Sequence, residues 1–189
     1  MLRLTCTMAL AIIGSIIPAE ARIGETEVEC EARYGTSREL PVETGGRLTP
    51  EATKSWVAKV YSSRGLRIEI VFDDSIAVFI RYSNEAVFQI THTSPPALGL
   101  TAAEIVHLRN VNLKDGSSWR TYSDATLNGI ASSMKLWRSS GKALRAGYDR
   151  DQKKLFVCSA AFWDLVVGTI KDRTKGGTSG GAASRFKGL

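Results

Sequence analysis

Apolar and polar residues alternate along three consecutive segments in the first half of the chain. In residues 66–72, Leu, Ile, Ile and Phe occupy every second position and fall on one side of an extended chain. Residues 56–61 and 76–82 are also rich in β-branched and aromatic residues. Turn-forming residues at 64–65 and 73–75 separate the segments. The pattern predicts an antiparallel meander with one face on a core.

A short helix is predicted before each group of strands. Residues 24–35 begin with glycine and glutamates, which favour a helix start, and end at a glycine suited to a left-handed cap. Thr101 and Glu104 have the spacing of a capping box, which predicts a helix from there to about residue 110. The glutamates at 25, 27, 29 and 31 are interpreted as a solvated helix face, because no other metal-ligand types are interleaved with them.

Strands are predicted again at 134–138, 143–148 and 153–158. The fold class is therefore α+β, a short helix followed by an antiparallel β-meander. Both halves contain a Leu-Arg pair that leads to an aromatic-Asp pair, at 66–73 and 144–149. A duplicated unit explains this order, and the alternative is that any two β-hairpins share such features.

The N-terminus has the three regions of a secretory signal peptide. Arg3 provides the positive charge, residues 4–17 form an uncharged apolar run, and Pro18 precedes Ala19-Glu20-Ala21, which has small residues where signal peptidase reads. The run is shorter than the roughly 20 residues of a membrane span. We expect cleavage before Arg22 and a secreted or periplasmic chain without a transmembrane span; the alternative is an uncleaved anchor or a core helix.

These features divide the chain into four parts. Residues 1–21 are the predicted signal peptide, residues 22–93 and 94–170 are two helix-plus-meander units that share one core, and residues 171–189 are a Gly-rich basic tail that we expect to be disordered. The formal net charge is +6. Basic charge suits an anionic partner, but no basic stripe interleaved with aromatics indicates nucleic acid.

Two of the three cysteines lie outside the predicted signal peptide. Cys30 and Cys158 could form a disulfide in an oxidising compartment, which would close a long loop and contribute about 4–5 kcal/mol in the chain-entropy model. The alternative is a pair of buried free thiols. Sequence leaves both open, because a bridge requires the two Cα atoms to be close.

A glycine-x-threonine start at 24–26, an aromatic-glycine helix end at 34–35 and a strand ending in Phe72-Asp73 carry a resemblance. Residues 23–82 resemble the small domains of the β-lactamase inhibitor protein and of the small lipoprotein of the outer-membrane β-barrel assembly machine. The opening also resembles uncharacterised exported bacterial proteins. The resemblance implies a binding module, although the lipoprotein cysteine is missing.

Residues that could carry catalysis are few. The two histidines, His92 and His107, lie near a loop and on the second predicted helix, and no nucleophile elbow, zinc motif or phosphate loop is present. The acidic pairs at 73–74 and 149–151 fit hairpin turns better than a calcium loop. We therefore expect no metal and no cofactor.

The leading hypothesis is an exported, non-catalytic module that binds an envelope protein or another extracytoplasmic partner through its sheet face. Among the tryptophans, Trp56 and Trp137 are expected in the core, and Trp119 and Trp163 are the binding candidates. The alternative is a small cell-envelope hydrolase that pairs Cys158 with His92 or His107, and a weaker one is a carrier for a small apolar ligand. Sequence does not determine the oligomeric state.

Overall fold

The structure is a computed structural model, and it describes residues 21–42, 53–84, 99–114, 116–124 and 133–175. Across these ranges the chain forms one antiparallel sheet with helices on both of its faces. The α+β class predicted from the sequence is confirmed. His92 lies outside the described residues, as do residues 1–20 and 176–189.

Eight strands form the sheet in the described ranges, in the order β1-β2-β3-β4-β8-β7-β6-β5. Their bounds are β1 Arg38–Leu40, β2 Trp56–Ser63, β3 Leu66–Asp73, β4 Ile76–Asn84, β5 Trp119–Tyr122, β6 Met134–Ser139, β7 Leu144–Asp149 and β8 Lys154–Ser159. Strands β1–β4 form one meander and β5–β8 another. The two meanders join where β4 pairs with β8, with Ile80 opposite Val157.

Three helices of the described residues pack on this sheet. Helix α1 (Glu27–Tyr34) precedes β1, helix α2 (Ala102–Asn110) precedes β5, and helix α3 (Ala160–Lys175) follows β8. Helices α1 and α2 contribute to one apolar cluster and α3 contributes to a second cluster on the opposite face. The period-two pattern explains this arrangement, because successive residues of each strand point to opposite faces.

The six strands predicted from alternation are confirmed, with ends that differ by one or two residues. Strand β3 buries Ile68, Ile70 and Phe72 on the face that α1 and α2 cover. Two short strands were not predicted. Strand β1 has only three residues, and β5 lies in a stretch without clear alternation. Both are edge strands and too short for their residues to show a clear period.

Helix α1 begins later than predicted. Gly24 lies in a turn with a φ of 92°, and the N-cap is Thr26, whose side chain and Glu29 form a reciprocal capping box. The predicted end is confirmed, because Gly35 is the C-cap, but its φ of 83° and ψ of −156° differ from the left-handed helical cap that the sequence predicted. Helix α2 has the predicted capping box of Thr101 and Glu104. Both helices therefore begin with the same Thr-x-x-Glu motif.

Helix α3 was not predicted, and it changes one predicted boundary. It runs to Lys175, so residues 171–175 are helical although they were assigned to the tail. Phe162, Trp163, Val166 and Val167 form its apolar stripe on the sheet. The signal was present, since this spacing matches one side of a helix, but Gly168 and the basic residues after it obscured the pattern.

The first described residues pack into the domain. Ala21, the last residue of the predicted signal peptide, has no exposed surface, and its carbonyl accepts a hydrogen bond of 2.7 Å from the Tyr82 hydroxyl. Ile23 packs against the same cluster, and its N–H donates to the Asn112 side chain at 2.8 Å. The packed core therefore includes one residue that the predicted cleavage would remove.

Candidate functional site

One groove in the described part of the chain combines a predicted binding residue with an unusual charge. It lies between the last turn of α2, the loop that follows and the start of β5, and its volume is ≈ 540 Å³. Arg109 and Asn110 line it from the helix, Lys114 and Ser118 from the loop, and Trp119 from the strand. We call these five residues and the space between them the Arg109 groove.

Arg109 is a buried cation within this groove. Only 9% of its surface is exposed, and its guanidinium carbon lies 4.0 Å from the ring centre of Trp137 and 6.0 Å from that of Trp119. These distances are typical of cation–π contacts. Burial lowers the pKa of Arg109, because desolvation disfavours the charged form. A guanidinium nonetheless stays protonated at physiological pH.

The hydrogen bonds of Arg109 are incomplete. Its Nε–H donates to the Ile105 carbonyl at 3.4 Å, one turn earlier in α2. Its Nη1 is buried and has no hydrogen-bond partner. Among the described residues, no carboxylate lies within ion-pair distance of this guanidinium. A buried donor that lacks an acceptor costs about 1–3 kcal/mol, and more when it is charged.

The side chain of Trp119 is hydrogen-bonded to the end of α2. Its indole N–H donates to the Arg109 carbonyl at 3.1 Å, which satisfies one carbonyl at the end of α2. Its ring is half-buried and packs against the core. The structure thus places this binding candidate on a groove wall, where part of the ring remains accessible.

An equivalent groove occurs in the first half, with the opposite charge. It lies between the end of α1, β1 and β2, has a volume of ≈ 510 Å³, and is lined by Glu31, Glu39 and Lys59, among others. Lys59 forms ion pairs with Glu27 and, at 3.0 Å, with Glu31. These hydrogen bonds raise the pKa of Lys59, and the bond from Lys59 lowers the pKa of Glu31. The glutamates interpreted as a solvated face thus hold a lysine from β2.

Trp163, the other binding candidate, is a core residue. It is 6% exposed on α3 and stacks on Phe156 of β8 with a ring-centre separation of 5.7 Å. The crevice beside it is apolar but only ≈ 40 Å³. This volume is far below the roughly 300–1,000 Å³ of a small-molecule site. The expected core positions are confirmed for Trp137, which is buried, and Trp56 is half-buried against Phe162.

A charged network lies on the same sheet face as α3. Glu69 of β3 is buried and forms ion pairs with Arg81 and with Arg67, the latter at 2.7 Å. Burial raises the pKa of Glu69, but the two guanidiniums outweigh it and hold the pKa below its ordinary value. Because the carboxylate is paired on both oxygens, this network is suited to fixing strand side chains rather than to proton transfer.

The two cysteines are separated by the sheet. Cys30 on α1 and Cys158 on β8 are free and fully buried, in the clusters of opposite faces. The disulfide considered from the sequence is therefore not formed in this structure, because the sheet lies between the two side chains. Burial raises the pKa of Cys30 to about 12 and also raises that of Cys158. Such thiols are poor nucleophiles.

The histidine considered as a partner for Cys158 lies on the other side of the sheet. His107 is exposed on α2, on the face opposite Cys158. In the part of the chain that the structure describes, no group of three or more His, Cys, Asp or Glu residues is placed to hold a metal ion. Over the same residues, no helix has the length and hydropathy to cross a bilayer.

Sequence reasoning missed Arg109, although one signal was available. Counted from its capping threonine, Arg109 occupies the position that Tyr34 occupies in α1. Tyr34 packs against Tyr61 of β2, with ring centres 5.5 Å apart and the rings tilted by 54°. An arginine where the matching helix has a core aromatic indicates a buried charge.

Comparisons with known proteins do not identify a family for this chain. No protein-family model matches this chain, and no curated protein sequence matches it. A solved structure of a cysteine-rich secretory protein from Staphylococcus aureus is similar at 12% identity, with a TM-score of 0.40. The similarity covers 74% of this chain and 45% of that one, so the chain spans less than half of that protein.

Proposed function

We propose that this protein is an exported, non-catalytic α+β module that binds an extracytoplasmic partner at the Arg109 groove. The partner is an envelope protein or another protein outside the cytoplasm. The observation that carries the proposal is the buried Arg109 guanidinium, which contacts Trp137 and lies near Trp119, with an Nη1 that lacks an acceptor. Arginine and tryptophan are enriched among the residues that dominate binding energy.

The surroundings of Arg109 support recognition rather than packing alone. Lys114 and Ser118 are exposed at the rim, where they can donate to a bound group. Trp119 is held by its bond to the Arg109 carbonyl, so it presents a rigid surface to a ligand. A rigid aromatic wall reduces the entropy lost on binding.

We further propose that the two halves arose by duplication. The symmetrical strand order supports this, as do the two Thr-x-x-Glu caps and the matching grooves. Lys59 in β2 and Lys135 in β6 lie at equivalent positions, each two residues before an aromatic residue. Tyr61 follows Lys59 and packs on α1, and Trp137 follows Lys135 and contacts Arg109 of α2. The resemblance to the β-lactamase inhibitor protein and the assembly lipoprotein remains part of this proposal.

Export is tested separately from binding. Residues 1–30 are fused to an alkaline phosphatase that lacks its own signal peptide and is active only outside the cytoplasm. We expect activity from this fusion and none when Arg3 is kept but the apolar run 4–17 is deleted. An inactive full fusion would contradict export and, with it, an extracytoplasmic partner.

Binding is tested by photo-crosslinking in the cell that produces the protein. Ser118 is replaced by a photoreactive amino acid, and the matched control is Ser62, an exposed serine of β2 that points to the opposite face. We expect one discrete adduct from Ser118 and none from Ser62. Equal labelling from both positions, or from neither, would remove the Arg109 groove as the partner surface.

A further inference from the structure

The two helix–strand grooves differ in one chemical respect, and the difference points to a ligand. In the first half, the cation of β2 is neutralised from within, because Lys59 contacts carboxylates at the first and fifth positions after the Thr26 cap. In the second half, the first and fifth positions after Thr101 are Ala102 and Val106. The internal carboxylates are absent at these positions.

The cations nevertheless remain in the second half. Lys135 of β6 lies with its Nζ 5.4 Å from the Trp137 ring centre, and Arg109 lies 4.0 Å from the same centre. Arg109 is nine-tenths buried, and its Nη1 has no acceptor. Among the described residues, the second half therefore keeps positive charge between the helix and the strand, and no ion pair with a carboxylate balances it as Glu27 and Glu31 do in the first half.

We infer that the Arg109 groove is a binding site for a carboxylate group, such as an acidic side chain of the partner, which supplies from outside the charge that Glu27 and Glu31 supply within the first half. This inference rests on the proposed role of the groove as the partner surface. A carboxylate accepts charge-assisted hydrogen bonds from a guanidinium, and Lys114 and Ser118 at the rim add donors.

The stacking of Arg109 defines how the site is arranged. Its planar group is held over Trp137 and bonded to the Ile105 carbonyl, so its orientation is fixed before a ligand arrives. Because the guanidinium is already dehydrated, an incoming carboxylate does not have to strip water from it. A preorganised, desolvated cation binds an anion more strongly than a surface lysine does.

Binding is measured by NMR on the full chain with ¹⁵N labelling. The reporters are the indole N–H groups of Trp119 and Trp137 and the Nε–H of Arg109. The titrant is blocked glutamate, N-acetyl-glutamic acid methylamide, and the matched neutral titrant is the corresponding glutamine derivative. We expect saturable shifts of these reporters with the glutamate compound and none with the glutamine compound.

Two variants locate the site, and a third is the control. Arg109→Met keeps the packing on Trp137 without charge, and we expect affinity to fall about tenfold or more. Lys114→Ala changes only an exposed rim residue, so it keeps the test valid if Arg109→Met does not fold, and we expect a loss of about two- to fivefold. Lys54→Ala, an exposed lysine before β2, should bind as the parent does.

Several results would overturn the inference. These are the absence of shifts with the glutamate compound, equal shifts with the glutamine compound, unchanged affinity in Lys114→Ala, or equal affinity for inorganic phosphate, which would make the site a general oxyanion site. A Ser118 adduct without carboxylate binding would remove only this inference. The absence of both would remove the proposed partner surface as well.

Discussion

Gly147 of β7 offers the sharpest test of the packing. It pairs with Leu136 of β6 and with Phe156 of β8. A Cβ atom at Gly147 would lie 2.3 Å from Cζ and 2.4 Å from Cε1 of Phe156, and 3.1 Å from Cδ2 of Leu136. The ring of Phe156 therefore lies in the space that any larger residue at position 147 would need.

The cost of Gly147→Ala follows from the contacts of that ring. Phe156 stacks on Phe79 and Trp163 with ring-centre separations of 6.0 and 5.7 Å, so a methyl group at 147 forces the ring away from both neighbours. Overpacking costs about 1–3 kcal/mol, and each lost aromatic pair about 0.5–1.5 kcal/mol. We expect the free energy of unfolding to fall by about 2–4 kcal/mol, measured by urea denaturation.

A double-mutant cycle separates this clash from other effects of the substitution. When Phe156 is first changed to alanine, the space above Gly147 is open, and Gly147→Ala should then cost less than about 0.5 kcal/mol. Gly141→Ala is the control, because a methyl group there would meet no atom within 4 Å beyond its chain neighbours, and the φ of Gly141 is not positive. An equal loss in both backgrounds, or no loss in the parent, would refute the packing of Phe156 on Gly147.

Three further predictions concern charge, caps and the N-terminus. Because the pKa of Glu69 in the folded protein lies below its ordinary value of 4.5, the stabilisation from its ion pairs is complete above pH 4.5 and is lost as the pH falls through the folded-state pKa. Glu69→Gln should lower the free energy of unfolding by about 2–3 kcal/mol at pH 7 and weaken the dependence of stability on pH in the acid range. An unchanged pH dependence would contradict this prediction. Thr26→Ala and Thr101→Ala should each lower the free energy of unfolding by about 1 kcal/mol in urea denaturation, and a loss in only one of them would show that the two caps are not equivalent. A chain that starts at Glu20 should be about 1–2 kcal/mol more stable to denaturant than one that starts at Arg22, because it keeps the buried methyl group and the buried carbonyl of Ala21 without placing a charged amino terminus on that buried residue. Equal stability would mean that the Ala21 contacts contribute nothing.

The sequence was sufficient to predict six of the strands, because their apolar residues alternate. Ile68, Ile70 and Phe72 all face one cluster, and a shift of one residue would have exposed all three. It was insufficient for β1, a three-residue edge strand paired only with β2, and for β5, an edge strand whose Trp119 and Tyr122 pack on the two clusters but whose four residues are too few to show a period. Backbone pairing leaves almost no trace in the identity of the side chains.

The candidate site could be predicted only in part. Trp119 was selected because aromatic residues suit binding, and it does line a groove. Arg109 could not be selected in the same way, because an arginine near a helix end is normally an exposed residue that favours the helix dipole. Its burial results from Trp119 and Trp137, which come from strands that follow α2 in the chain and meet it only in the folded domain. Such a contact is set by tertiary packing.

The two halves show how one scaffold can carry opposite charges at the same place. Tyr34 on Tyr61 and Arg109 on Trp137 occupy equivalent positions, and both pairs fill the space between a helix and the sheet. An arginine stem and a tyrosine ring both provide apolar surface, so the packing tolerates the exchange. The two groups differ in charge: the Tyr34 hydroxyl is also buried without a hydrogen-bond partner, but it is neutral, whereas the Arg109 guanidinium is charged and costs more to leave unpaired. Under the proposed duplication, such an exchange preserves the fold and leaves a buried guanidinium whose Nη1 lacks an acceptor in the second half.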